Sequence, residues 1–460
     1  MQKARLALPA GTLPYRYGPL LHADSIRLLV LHAIPGEDDD VFCTIQPARL
    51  NDPDLEYEAV SYTWGDPADP RKIRFKGSTR TLSVTRNCHN ALRRLRYQHD
   101  DRLLWIDAIC INQEDLIERS RQVRIMHRIF SQAVNVAVYL GEHDAGSRIL
   151  FRELVSVDEV LTINGKEPIL KRSLPDSRVY DELDIFYSRR WFERVWVIQE
   201  VAAKPHITLT CGCSTVSLEA LMGLHFGYLK SHQQGKVRLP VPFELTFDRR
   251  EVFQTPQFSL WHWLYETRTC LATDPKDKVF GLISLINPGR TALIELVNYS
   301  QTLEDCFVQI ARSFLPVIGL RLLTAVRHPH DKNMPSWVPD WSQSLPLLSE
   351  FFLTDNIQNL DEPLLPEIKP LKYDGSTSIC DNYHPRYQSS PVLQISGCHY
   401  ATIIERSCAF VFDGTRDSNN ALEKLKLLFC PDDTEEAWWD HLRDVKSFST
   451  DLGEKIVVGK

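Results

Sequence analysis

Hydrophobic positions fall into two kinds of segment, short continuously apolar runs and longer stretches with a spacing near 3.6, and their alternation predicts an α/β protein. Residues 26–34 and 41–45 read as two strands of a hairpin across the acidic turn 35–40. The next strand, 57–62, runs into Trp64-Gly65-Asp66-Pro67, where glycine and proline end regular structure and leave Trp64 on a loop. An amphipathic helix follows over 87–97, with Ala91, Leu92 and Leu95 on one side and arginines on the other. Leu103 to Ile106 is a short apolar run of the kind that helices cover on both faces, and Asp107 stands at its end. Asn112 or Asp115 can cap the helix beyond it, whose stripe is Leu116, Val123, Met126, Phe130 and Ala133. On that helix Glu118 and Gln122 share a face, as do Arg121 and Arg124. Val134 to Gly141, rich in β-branched residues, is a third buried strand.

Strand, helix, strand, helix, strand is the order of parallel pairing with right-handed crossovers, so a doubly wound, mostly parallel sheet is expected. Residues 142–190 read as an inserted helical or loop segment, 207–209 as a further strand, and the chain from about 215 as mainly helical, with one helix over 304–315. Proline-rich stretches at 335–346 and 363–370 set a boundary near 350, beyond which 392–395 and 402–404 read as paired strands. The expected organisation is an α/β domain over 15–215, a mainly helical accessory region over 216–350, and a small β-containing C-terminal segment over 351–460. That last segment stops without an obvious domain terminus, so a shortened C-terminus is an open expectation.

Composition narrows the class. The chain of 460 residues is 43% hydrophobic and 25% charged, which is ordinary for a folded, water-soluble protein of more than one core. Lys and Arg number 53 against 60 Asp and Glu, for a net charge of −7, and no basic tract dominates, so nucleic acid is not an expected partner. No apolar run approaches the roughly 18 residues that a membrane-spanning helix needs, and the N-terminus lacks a secretory core, so a cytoplasmic location is expected. The 11 cysteines show no repeated spacing and read as reduced thiols; Cys110, between Ile109 and Ile111, reads as a buried structural thiol. The histidines have no ligand rhythm, so no metal is expected. Glycine-rich dinucleotide and phosphate loops, the Gly-x-Ser-x-Gly elbow and His-Glu-x-x-His are all absent.

In open α/β sheets side chains converge on a ligand at the strand ends, which makes Tyr62, Trp64, Asp66, Asp107 and Asn112 candidates for a shared crevice. Each has a structural alternative: Tyr62 and Trp64 as plugs that fix the loop, Asp107 and Asn112 as caps of the turns that follow them. Arg119, in the first turn of the helix after Asp107, suits a diphosphate or pairs with Glu114, Asp115 or Glu118.

The segments Tyr57-Glu-Ala-Val-Ser-Tyr-Thr-Trp-Gly-Asp66, Leu104-Trp-Ile-Asp-Ala-Ile-Cys-Ile-Asn-Gln113, Glu118 to Met126 and Arg194-Val-Trp-Val-Ile-Gln-Glu-Val201 together resemble the fungal heterokaryon-incompatibility (HET) domain. Asp274 to Gly281 and Pro335 to Ser342 resemble segments that commonly follow it. The family is remotely similar to the Toll/interleukin-1 receptor (TIR) fold, some members of which split NAD at the nicotinamide–ribose bond. The TIR pattern Trp-Cys-x-x-Glu-Leu resembles Trp196-Val-Ile-Gln-Glu200-Val201, with valine in place of cysteine. The resemblance implies Glu200 as the catalytic carboxylate, Trp196 as a wall of its pocket, NAD as a substrate and not a bound cofactor, and partners that are further copies of the chain or other HET or TIR-like proteins. It implies a part in self/non-self recognition and cell death. Two alternatives remain at this point, a solvent-exposed Glu200 or one paired with Arg190 or Arg194, and a non-catalytic adaptor.

Overall fold

The computed structural model describes residues 13–34, 40–164, 177–202, 206–231, 237–243, 256–286, 292–318 and, up to 343, residues 322, 325, 326, 334, 335 and 337–343. The expected strands at 392–395 and 402–404, and the segment 351–460 that holds them, lie outside the described residues. Contacts divide the chain into two compact units, Met1–Cys306 and Phe307–Lys460. In the second, the rings of Phe307 and Phe314 meet Trp341 edge-on at 5.2 and 5.9 Å.

The first unit is built on one sheet of ten strands: β1 (Leu13–Pro14), β2 (Ser25–Leu31), β3 (Phe42–Arg49), β4 (Glu58–Tyr62), β5 (Pro70–Phe75), β6 (Arg80–Thr85), β7 (Arg102–Trp105), β8 (Asn135–Tyr139), β9 (Ile207–Cys211) and β10 (Ser214–Ser217). Their order across the sheet is β1-β6-β5-β3-β2-β7-β4-β8-β9-β10. Five of the nine neighbouring pairs are parallel, so the expected α/β sheet is present as a mixed one in which parallel pairing prevails. The 26–34/41–45 hairpin is the antiparallel pair β2–β3, in register from Ser25–Arg49 to Leu31–Cys43. The strands β5 and β6 are an addition to the expected set; Pro70 and the charged residues of Arg71-Lys-Ile-Arg74 mask their apolar alternation.

The central block β7-β4-β8-β9 is wholly parallel. After β4 the chain moves to β7 on one side, then crosses back to β8 and β9 on the other, so the strand order reverses at β4. In open α/β sheets such a reversal is where ligands bind, outside the carboxyl ends of the strands. Those ends carry Tyr62 to Trp64 after β4 and Asp107 after β7.

Helices α1 (Arg86–Leu95), α2 (Asp107–Cys110), α3 (Leu116–Gln132), α4 (Ala145–Asn164), α5 (Ser177–Tyr187), α6 (Val197–Ala202) and α7 (Leu218–Ser231) connect these strands or follow them. Thr85 caps α1 by accepting the amide of Cys88 at 3.2 Å, and Asp115 caps α3 by accepting those of Ile117 and Glu118 at 3.0 Å each. Further helices span Pro256–Glu266, Asp277–Ile286 and Leu303–Ile318. Among the described residues no helix is long and apolar enough to cross a membrane. The cysteines at 43, 88, 110, 211, 213, 270 and 306 are free thiols, and burial pushes the Cys110 thiol up to about 12.

One buried ion pair joins the sheet to α3. Arg27 of β2 donates from Nη1 to Glu118 Oε1 at 2.6 Å and from Nη2 to Oε2 at 2.9 Å. Nη1 also reaches the carbonyl of Cys110 at 3.0 Å, and the Asn112 amide donates to Glu118 Oε1 at 2.7 Å. Every charged atom has a partner, which is the condition under which a buried pair is tolerated. Glu118→Ala, which leaves the guanidinium buried and unpaired, is expected to cost about 3–5 kcal/mol, and Arg27→Met combined with Glu118→Leu clearly less. Denaturant midpoints of the three proteins test this; a double variant less stable than the single one would refute it.

Candidate functional site

A polar cluster forms where β4, β7 and the segment leading into α6 meet. Strand β4 is apolar except for Glu58 at its start and Ser61, whose hydroxyl lies opposite in phase to Tyr62 on the pleat. Ser61 Oγ accepts the indole N–H of Trp191 at 2.7 Å and donates to Glu200 Oε2. An indole N–H can only donate, so the single proton of Ser61 is left for the carboxylate and the chain Trp191–Ser61–Glu200 runs in one direction. Arg194 completes the ring: its Nη1 donates to the carbonyl of Tyr62 at 2.6 Å and lies 3.8 Å from Glu200 Oε1.

Asp107, the first residue of α2, stands at the outer side of this cluster. Its Oδ1 accepts the Ala108 amide at 2.7 Å and its Oδ2 the indole N–H of Trp64 at 2.9 Å. The Trp64 loop is fixed from α1, because Asn87 Nδ2 donates to the carbonyl of Thr63 and Thr85 Oγ1 to that of Trp64. Gly65 is required in this loop: its φ is +80°, and a Cβ there would come within 3.0 Å of the Asn87 Cβ.

The two carboxylates share one electrostatic environment. Burial raises the Glu200 pKa; Arg194 and the Ser61 hydroxyl oppose that rise, and the charge of Asp107 adds to it. Burial likewise raises Asp107, against Arg194, the bonds from Trp64 and Ala108, and Arg119. Arg194 is thus the main counter-charge of both acids. Glu200 is only 5% exposed and Ser61 1%, so the carboxylate lies beneath the surface while Trp64 faces solvent and Asp107 is partly buried. Two surface concavities, of about 390 Å³ beside Leu50, Asp52, Tyr57 and Gln132 and about 280 Å³ beside Ile117, Arg121 and Arg124, are lined by none of these residues.

The candidates from the sequence therefore divide. Glu200, Asp107 and Trp64 come together, with Tyr62 a fully buried plug whose hydroxyl meets the Cys88 thiol and whose carbonyl anchors Arg194. Asp107 caps its own turn as well as holding Trp64. Asn112 serves the entry to α3: its amide binds Glu118 and its Oδ1 accepts the Glu114 amide at 3.4 Å. Arg119 pairs with none of the acids on its own helix; it lies 3.4 Å from Asp274 Oδ2 and 3.6 Å above the Tyr299 ring. The Trp196 indole lies beside Asp277 and packs near Gly281, turned to the residues that hold Arg119. Ser61 and Trp191 were not among the candidates; the signal for Ser61 was a lone hydroxyl within an apolar strand.

Residues 57–200 match the family of heterokaryon incompatibility proteins (HET). The chain is also 30% identical over 397 residues to heterokaryon incompatibility protein 6, OR allele, of Neurospora crassa, an alignment covering 69% of this chain and 58% of that protein. The chain thus spans less than two thirds of the length of this curated relative. No solved structure matches the chain. The matched span starts one residue before β4 and ends on Glu200, so it encloses Ser61, Asp107, Trp191 and Arg194. Residues 57–200 thus carry a HET domain, and the carboxylate cluster lies within it.

Proposed function

We propose that this HET-domain protein acts in fungal self/non-self recognition and cell death, and that its output is cleavage of NAD at the nicotinamide–ribose bond with Glu200 as the catalytic carboxylate. The observation that carries this reading is a glutamate buried beside the end of β4, its orientation fixed by Ser61, which Trp191 orients in turn. The reversal of strand order at β4 is the pattern of a doubly wound sheet and supports the TIR-like comparison.

The chemistry asks little more of the protein. The bond between the nicotinamide nitrogen and ribose C1′ breaks with its electron pair going to the nitrogen, so nicotinamide leaves neutral and the sugar becomes an oxocarbenium-like cation. A carboxylate preplaced in a low-dielectric site stabilises that cation with no reorganisation of water. Water then adds to C1′ and loses a proton, giving ADP-ribose. Asp107 and Trp64, toward the solvent side, are the residues that in this reading meet a ribose hydroxyl and an aromatic ring. Because Glu200 is covered, substrate entry requires Arg194 or the Trp64 loop to move, and self-association with other HET or TIR-like domains is the event proposed to drive it.

The same burial favours a second reading, a non-catalytic adaptor in which Glu200 is a structural acid of the core. The two separate on Glu200→Gln. An enzyme loses about 10² or more in nicotinamide release from concentrated or forcibly clustered protein. An adaptor has no nicotinamide release to lose, and release equal to wild type counts against catalysis by Glu200.

The pKa directions add a further test. Catalysis by the ionised acid falls as pH drops through the raised Glu200 pKa. Ser61→Ala removes a hydrogen bond to the charged form, so the acid limb of the kcat profile is expected to move to higher pH. In stability the sign is opposite: an acid whose pKa is raised on folding stabilises the fold when protonated, and that gain is lost as pH rises through the folded value. Glu200→Gln is therefore expected to flatten the pH dependence of Tm and to hold Tm at pH 7; a steep fall in Tm at pH 7 refutes the assignment of burial as the dominant cause.

A further inference from the structure

Helix α6 has six residues, too few to hold a helical conformation or an orientation by itself. It is clamped by residues downstream of the family match. The amide of Leu271 donates to the carbonyl of Glu193 at 2.5 Å, and its carbonyl accepts the amide of Val195 at 3.0 Å, forming a one-residue parallel bridge at Arg194. The Asp277–Ile286 helix packs on α6, and the approach is close at Gly281, where a Cβ would lie 3.4 Å from both Val195 methyls and 3.6 Å from the Trp196 ring.

The clamp is fastened at Asp277. This buried carboxylate accepts the Tyr299 hydroxyl at 2.5 Å, and the Trp196 indole lies beside it. Tyr299 is itself held to α3, since its amide donates to Ser120 Oγ at 2.9 Å and Arg119 stacks on its ring. Arg119 also lies 3.9 Å from Asp277 and 3.4 Å from Asp274, while Lys276 Nζ donates to the carbonyls of Tyr299 and Gln301 at 3.1 and 2.9 Å. One side chain thus joins the start of α6, the 274–281 segment and α3. Burial raises the Asp277 pKa to about 6, against the Tyr299 bond, Arg119 and Trp196.

We infer that Asp277 is a positioning residue for Glu200: through Trp196 and Tyr299 it fixes the short helix that carries the carboxylate, so residues 271–281 and Tyr299 are a working part of the HET-domain site. The kinetic half of this inference rests on the NAD-cleavage reading; the structural half does not. Asp277→Leu fills similar space without an acceptor, whereas Asp277→Asn keeps an acceptor oxygen.

In the full chain, Asp277→Leu is expected to speed amide deuterium exchange at residues 195–202 by about tenfold or more while the strands β4 and β8 stay protected, and Asp277→Asn to restore protection. On nicotinamide release, kcat of Asp277→Leu is expected to fall about tenfold or more with KM changed less than about threefold, because a displaced catalytic group costs turnover before binding. Unchanged exchange at 195–202 in a folded Asp277→Leu chain overturns the inference. If that variant does not fold, Tyr299→Phe removes a single hydroxyl and is expected to speed exchange there about threefold; exchange equal to wild type is again the overturning result. Faster exchange in a protein whose wild type releases no nicotinamide supports the clamp and overturns the NAD reading alone.

Discussion

A carboxylate inside a protein must have fixed partners, and three of the buried acids around this sheet meet that constraint in different ways. Glu118 is held by Arg27 in a two-pronged pair, Glu200 by Ser61 with Arg194 beyond it, and Asp277 by Tyr299 with Trp196 beside it. The three differ in what the partners supply. Glu118 faces a full counter-charge in direct contact, whereas Glu200 and Asp277 have neutral donors close by and the guanidinium farther off, and burial raises the pKa of both. The first arrangement fixes architecture; the other two leave an acid whose charge state can respond to its surroundings.

Glu200 and Asp107 face the same guanidinium from the ends of different elements, which ties the state of one acid to the other. Arg194 occupies the position of positive charge between them. The covered state and the electrostatics thus have a common origin, since the residue that neutralises the acids also helps to close them off.

Much of the framework was legible along the chain. The β2–β3 hairpin, β4, α1, β7, the Asp115 cap of α3 and its stripe apart from the exposed Leu116, β8 and β9 lie where periodicity and capping residues point. Strands β5 and β6 were not legible, since their exposed charged positions hide a period of two. Of the candidate residues, Glu200, Asp107 and Trp64 converge, while Arg119 and Trp196 join a cluster centred on residues 150 and 80 positions farther along the chain. Helical spacing places Trp196 and Glu200 on one face, but Trp196 precedes the helix, and its indole turns toward Asp277 instead.

By itself the sequence determined the order of strands and helices, the strand ends where polar residues gather, and the kinship, because all three are written in local spacing and composition. Only the tertiary structure decided which carboxylates are buried, that Ser61 and Trp191 orient Glu200, and that a segment past residue 270 grips its helix. Those facts depend on partners 130 and 139 residues apart for Ser61, and more than 150 apart for Arg119 and Asp274, distances over which no local pattern carries information about who meets whom.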